Sequence, residues 1–408
     1  MSRRVPNWPC VLLFCLTMIP FARASAETLD IFIDADFSKS RASASAIELG
    51  IKTALEEVDN QLGGYDIRLV PKDHRTNVKR SHRHIQELGA SETALLMFGG
   101  MHSPQYLSYR DYINENQILT LLPWSAAGPI TRAAPGHENW LFRLSVDDYQ
   151  SGEFLVNAAI TQGGCQSISL LLLDTGWGLA NRTTLEAALA AHDLSANQVA
   201  FFPTSIGDAG AGALAAKLAT DSPDCIIMLS NWHNGAAMIN AMRKHLPDVK
   251  IFSHWGITGG AFAEQVPHET RAALSLSVLQ TCGLRRERDG NALLQWVLRR
   301  ALPDAQGLAD VSAPTGFVHG YDLTRILIAA ADQAATTPAW QGSIVDKRRA
   351  LKSALESLSR PVTGILKTYQ TPFSAYDPQT APNAHEALGL ADLCLARFDA
   401  NGRLEDLR

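Results

Sequence analysis

What this sequence lacks narrows it before any motif is read. It has no C-x-x-C pair and no H-E-x-x-H, so the common spacings of zinc ligands are missing. Gly99-Gly100-Met101-His102-Ser103 has no glycine at the offset that a nucleophile elbow needs. Gly176-x-Gly178 follows an apolar run, but Asn181 stands at the third glycine position of a dinucleotide loop. His82 and His84 lie on the basic stretch Lys79-Arg-Ser-His-Arg-His84, which reads as a solvated helix face rather than a metal site. Basic residues are no excess either, with 36 Lys+Arg against 41 Asp+Glu and a formal charge of −5. Nucleic acid therefore has no electrostatic footprint to bind. Without nucleophile, metal or nicotinamide motifs, an enzyme is the least supported class, and neither cofactor nor metal is expected. Past residue 26 no apolar run is long enough to cross a bilayer, so the mature chain is not expected to be membrane-embedded.

What is present suits a folded, exported protein. With 408 residues, 46% hydrophobic and 19% charged, the chain has room for two domains. Residues 1–26 have the parts of a secretory signal: Arg3 and Arg4, the apolar run Val11 to Phe21, and the small-residue site Ala24-Ser25-Ala26. Phe14 before Cys15 argues against a lipoprotein. Losing this segment removes Arg3, Arg4 and Arg23 and no acid, which moves the formal charge from −5 to −8. Four cysteines remain, Cys165, Cys225, Cys282 and Cys394. An oxidising compartment favours disulfides. Cys165 and Cys225 precede or open two predicted strands and would share a sheet edge, leaving Cys282 for Cys394. Four free buried thiols are the alternative.

Along the chain, apolar runs alternate with helical spacing. Ile168 to Leu173 is a continuous apolar run that stops at Asp174-Thr175-Gly176-Trp177-Gly178, as a parallel strand buried on both faces does. It restarts a pattern completed once between Leu29 and Leu122. The first copy has strands at Leu29–Ile33, Ile67–Val70, Ala94–Phe98 and Ile118–Leu122. Its first helix carries Ile47, Ile51, Leu55, Val58 and Leu62 and stops at Gly63-Gly64; a later one runs from Tyr106 to Asn116. Trp140–Leu144 is a strand leaving that copy, followed by a helix from Tyr149 to Thr161. The second copy has strands at Ile168–Leu173, Val199–Phe202, Cys225–Ser230 and Lys250–Phe252. Leu274–Gln280 crosses back, helices at Ala292–Arg300, Thr315–Ala335 and Ile344–Leu358 join the first copy, and Leu393–Phe398 is a last strand. This β-α-β alternation means α/β architecture with parallel sheets covered by helices.

The ordered segments Ala46–Gly64, Gly99–Ser103, Pro123–Thr131, Phe142–Gly152, Asp174–Gly178 and Asn231–Ala237 resemble the type I periplasmic solute-binding proteins of ABC importers, of the branched-chain amino acid and amide class. The resemblance covers most of residues 29–280 and implies two doubly wound parallel-sheet lobes joined by three hinge strands. Residues 27–146 with 280–360 would form lobe 1, and 147–279 with 361–408 lobe 2, with crossings near Leu144–Asp147, Leu276–Thr281 and Ser359–Thr371. It further implies a periplasmic monomer that takes a small molecule between its lobes and hands it to an inner-membrane ABC permease. A sensory protein that reports occupancy to a membrane receptor is the alternative.

The resemblance also places a ligand site. It assigns His102 and Ser103 to the loop that holds a carboxylate, Ser125 and Ala126 to the donor loop after the fourth strand with Trp124 beside them, and Tyr149 to the aromatic past the first crossing. Asp174 and Trp177 fall in the turn after the second lobe's first strand, Trp232 and His233 in the loop where amino-acid binders carry an acid, and Trp255 at a further strand end. Asn231-Trp232-His233-Asn234 has no acid, which argues against a plain α-amino acid and leaves an amino-acid-like compound, an amide or an aromatic carboxylate as the expected ligand. The residues themselves agree in part. Trp124, Trp177, Trp232 and Trp255 all end predicted strands, where indoles would suit a flat ligand, although each could pack within its own lobe. His102 could simply face water, and Asp34 and Asp174 could serve helix caps or turns.

Overall fold

A computed structural model describes residues 1–2, 27–134 and 136–407. The expected signal segment, from Arg3 to Ala26, lies outside the described residues. The first copy of the pattern supplies β1 (Thr28–Ala35), β2 (Gln61–Leu62), β3 (Tyr65–Asp73), β4 (Ala94–Gly99), β5 (Thr120–Leu122) and β6 (Leu141–Arg143), ordered β2-β3-β1-β4-β5-β6. The second supplies β7 (Ile168–Leu173), β8 (Val199–Phe202), β9 (Cys225–Leu229), β10 (Lys250–Ser253) and β11 (Ser277–Thr281). A small hairpin, β12 (Val362–Thr363) and β13 (Thr368–Tyr369), precedes β14 (Leu393–Phe398) and β15 (Leu404–Asp406). The second sheet runs β15-β14-β11-β10-β9-β7-β8, with β14 and β15 antiparallel to their neighbours. Apart from added edge strands, β3-β1-β4-β5-β6 and β8-β7-β9-β10-β11 wind identically. The repeat that begins at Ile168 is real at the level of topology, and the fold is two doubly wound parallel sheets.

Parallel strands need crossovers, and helices provide them. They are α1 (Arg41–Leu55), α2 (Val78–Ala90), α3 (Ser103–Glu115), α4 (Asp148–Thr161), α5 (Gly176–Ala190), α6 (Asp208–Leu218) and α7 (Trp232–His245). Each parallel strand points its carboxyl end to one edge of its sheet, and the helix that follows starts there. That edge is where open α/β sheets gather their loops.

Several boundaries differ from the sequence reading for local reasons. The first helix ends at Leu55 and a short turn to Val58, because Asp59 and Asn60 take left-handed backbone (φ 54° and 58°). Gly63-Gly64 instead turns the β2–β3 hairpin, both at positive φ as a two-residue hairpin requires. The strand expected at Ile67–Val70 runs to Asp73, in register with β1 through Ala35↔Asp73. The helix expected from Tyr106 begins at Ser103, one turn earlier.

The helix Pro314–Ala334 packs on α1 at glycine contacts. A Cβ at Gly50 would meet the Phe317 carbonyl oxygen at 2.2 Å, and one at Gly320 the Ile47 carbonyl at 2.6 Å. Ile344–Glu356 joins the same sheet: Arg348 donates to the carbonyls of Leu88 (2.8 Å) and Ala94 (2.7 Å). The crossing expected at Ser359–Thr371 lies later. Ile365 and Leu366 are held by their amides to Asp322, and Phe373 stacks edge-on to Phe142 of β6. Arg143 then donates its amide to the His385 carbonyl and accepts from the Ala387 amide (both 2.9 Å), and the chain reaches the second sheet only at Leu393. Both cysteine pairings form: Cys165–Cys225 at the amino-terminal edge of the second sheet, and Cys282–Cys394 where β11 leaves and β14 enters. Among the described residues no helix is long and apolar enough to cross a membrane.

Candidate functional site

The carboxyl-end loops of the two sheets face each other across a cavity of about 530 Å³. The first sheet contributes the turns after β1 (Lys39), β3 (Arg75 to Val78), β4 (Met101 to Gln105) and β5 (Trp124, Ala126). The second contributes those after β7 (Thr175 to Trp177), β8 (Thr204), β9 (Asn231, His233) and β10 (Trp255, Gly256). Four helices, α2, α3, α5 and α7, therefore present their amino-terminal turns to one space. Unpaired N–H groups and helix dipoles make such a meeting point attractive to negative charge.

The aromatic wall comes from both lobes. Trp124 and Trp255 meet with centroids 6.0 Å apart. Trp177 is fixed from behind by Asp148, whose carboxylate accepts from Trp177 Nε1 (2.8 Å), Asn181 Nδ2 (2.5 Å) and His254 Nε2 (2.9 Å). Asp148 is 1% exposed and also accepts from the Ser151 hydroxyl (3.2 Å), so this carboxylate is spent on its neighbours. Met101 crosses the gap to Gly259, where any Cβ would strike its sulfur.

Polar groups gather on the lobe 1 side. Ser103 Oγ accepts from the amides of Ala126 and Ala127, both at 3.2 Å, which leaves its own proton free to donate. His102 is buried beside His74, and burial first, then the neighbouring imidazole, pushes it down to about 3. It is neutral at ordinary pH, and its Nδ1 has no partner among the described residues. His233 opposite is also lowered, by burial and then by the Lys39 charge. Asp36 organises the floor. Burial opposes its ionisation, but the Thr76 hydroxyl and the Lys39 amide hold it below the usual carboxylate value. Among the described residues no aspartate or glutamate lines the cavity itself.

His102, Ser103, Trp124, Ala126, Trp177, His233 and Trp255 are thus brought together at the cavity wall. Four other expected residues stand outside it. Ser125 is fully buried and its hydroxyl donates to the Gly100 carbonyl (2.7 Å), because residues at a strand end alternate in direction and Trp124 and Ala126 take the inward side. Tyr149 is 46% exposed and lies over Gly128 and the Arg132 guanidinium. Asp174 is exposed at the end of β7. Trp232 packs its indole against Gly260 rather than the cavity. Lys39 and Arg75 were not anticipated. The strand expected to end at Val70 continues to Asp73 and carries the loop at 74–77 to the cavity, and Lys39 stands in a polar Ser-Lys-Ser stretch that looks like solvated surface.

A comparison with curated proteins found no match. Among solved structures, a solute binding protein of an ABC transporter from R. palustris, in complex with benzoate, superposes with a TM-score of 0.71 at 17% identity, over 93% of this chain and 95% of that one. A second R. palustris solute binding protein, in complex with 4-hydroxybenzoate, gives 0.71 at 16% identity over 94% and 96%. The leucine binding protein LivK of Thermotoga maritima gives 0.70 at 14% over 93% and 98%. At these identities the likeness is one of fold. The family described as periplasmic binding protein matches residues 32–373, and this chain belongs to that family.

Proposed function

We propose that the protein is exported to the periplasm, captures a small aromatic carboxylate between its lobes and delivers it to an inner-membrane ABC permease. One observation carries the choice of ligand: the cavity wall combines three indoles, two cations and four helix amino termini with no carboxylate side chain among the described residues. An amino acid would bring an ammonium group that needs an acid. The two nearby candidates are engaged, Asp36 by Thr76 and the loop amides and Asp148 by Trp177, Asn181 and His254. The free proton of Ser103 and the α3 amino terminus suit a carboxylate, and the indoles suit its ring. The volume lies within the roughly 300–1,000 Å³ usual for small-molecule sites. Proteins of this fold include binders of benzoate, 4-hydroxybenzoate and leucine, so wall chemistry rather than fold decides among them.

Thermal unfolding of the mature protein against aromatic acids, their amides and aliphatic amino acids tests this reading. A ligand at a hundred times its dissociation constant adds about 2.7 kcal/mol and raises the melting point visibly. A shift with aromatic acids is expected. A shift confined to leucine-like compounds would contradict the reading.

A further inference from the structure

We propose that the preferred ligand is an aromatic ring bearing two acidic groups, the second of which sits between Lys39 and Arg75. This rests on the aromatic-carboxylate reading above and adds a second anion-binding end to the same cavity. The strand order β3-β1-β4-β5 sets the layout. Ser103 and Ala126 follow β4 and β5, whereas Lys39 follows β1 and Arg75 follows β3. Neighbouring strands lie roughly 5 Å apart, so Lys39 stands one strand spacing and Arg75 two from Ser103, about 5–10 Å. That span suits acidic groups on different carbons of one benzene ring, with the indoles of Trp124, Trp177 and Trp255 left for its faces.

The second end sets two cations at the cavity mouth with two carboxylates behind them, Asp36 accepting from the Lys39 amide (2.8 Å) and Asp73 pairing with Arg75 (3.2 Å). Lys39 joins none of the ion pairs among the described residues. The Arg75 guanidinium meets Asp73 through Nε alone (3.2 Å), and Asp73 also accepts from the amides of Arg75 and Phe37 (both 3.1 Å) and from the Ser38 hydroxyl (2.5 Å). Arg75 and Thr76 both hold left-handed backbone, φ 51° and 58°, which few non-glycine residues adopt. The Thr76 amide donates to His74 Nδ1 (3.1 Å) and its hydroxyl to Asp36, and these bonds keep the loop at the cavity mouth. On the opposite lobe His233 comes close enough to feel the Lys39 charge. A monoacid held at Ser103 would leave both cations without a ligand group to pair with. A second carboxylate would fill it with charge-assisted hydrogen bonds.

The test is calorimetric titration of the mature protein at pH 7.5 with benzoate and with benzene-1,2-, 1,3- and 1,4-dicarboxylate. At least one dicarboxylate should bind about 10–100-fold tighter than benzoate, the range for bonds to charged groups. In Lys39→Met and in Arg75→Met that advantage should shrink toward one, with melting points measured to show that each variant folds. Benzoate binding as tightly as all three dicarboxylates would overturn the proposal while leaving the aromatic-carboxylate reading in place. An advantage that survives both substitutions would overturn it equally. If no aromatic acid binds at all, both readings fall. The wild-type comparison needs no variant, so it stands even if a substitution impairs folding.

Discussion

The indoles of Trp124 and Trp255 meet across the cleft at 6.0 Å with their planes inclined by 58°. One follows β5 of the first sheet and the other β10 of the second, so this aromatic contact joins the lobes at the wall of the cavity. His319 is the third ring of this group, 5.6 Å from Trp255. Such a pair adds about 0.5–1.5 kcal/mol beyond its buried area, and truncating a buried tryptophan costs about 3–5 kcal/mol. Trp255→Ala should therefore lower the free energy of unfolding by about that larger amount. Trp255→Phe should keep most of it, as guanidinium denaturation would show. Equal losses in the two variants would mean that the contact contributes volume and nothing more.

Asp148 makes a separate prediction because its carboxylate reaches the wall through Trp177, with Asn181 and His254 bonded beside it. Asp148→Asn keeps one acceptor oxygen and turns an N–H₂ group toward donors. It should destabilise by about 1–3 kcal/mol and weaken ligand binding by freeing the Trp177 indole. Denaturation and titration on the same preparation would separate the two effects. Unchanged affinity would show that Trp177 needs no such support.

The buried histidines predict acid sensitivity. His319 Nδ1–H donates to the Pro123 carbonyl (2.8 Å) and its Nε2 accepts from the Thr281 hydroxyl (2.9 Å), an arrangement only the neutral ring can make. Burial lowers His319 to about 4 and His102 to about 3, both below the ordinary 6.5. The unfolded chain then binds more protons as pH falls. The stability these groups contribute is complete above pH 6.5 and is lost as pH drops through the window toward 4. Each adds a slope of up to about 1.4 kcal/mol per pH unit there. Melting temperature should fall steadily from pH 6.5 to 4.5, and less steeply in His319→Gln. A flat profile over that window would contradict the assignment.

The two disulfides should differ in reach. Cys165–Cys225 closes 60 residues within one sheet, while Cys282–Cys394 closes 112 and ties the strand leaving the second sheet to the strand re-entering it. Replacing either pair with serine should cost about 2–5 kcal/mol. The Cys282/Cys394 variant should also alter ligand affinity, since it loosens two of the three passages between lobes. Affinity that responds only to loss of Cys165–Cys225 would put the coupling elsewhere.

Much of the fold was legible because buried parallel strands write themselves as uninterrupted apolar runs. Ile168–Leu173 and Ala94–Phe98 are buried throughout, and their ends in glycine turns located the loops that meet at the cavity. The strand-end tryptophans were legible for the same reason. Which way a strand-end side chain faces was not. Ser125 turns to Gly100 while its neighbours Trp124 and Ala126 face inward, and Trp232 swings onto Gly260. Lys39 and Arg75 stayed hidden because a cation in a polar loop looks like solvated surface until the loop's position is known. Helical spacing misled at Val58 and Leu62, where left-handed Asp59 and Asn60 end the helix although the apolar period continues. The last crossing was displaced because the irregular tail clings to Asp322 and Arg143 by bonds that no periodicity announces.

The central claim is that the acid-free, indole-walled cavity takes an aromatic acid. Its most direct measurement is calorimetric titration of the mature protein with aromatic carboxylates on one side and leucine on the other. The account predicts saturable binding of one aromatic acid per chain, weakened in Trp177→Ala, and no binding of leucine. Saturable leucine binding with no response to aromatic acids would contradict it.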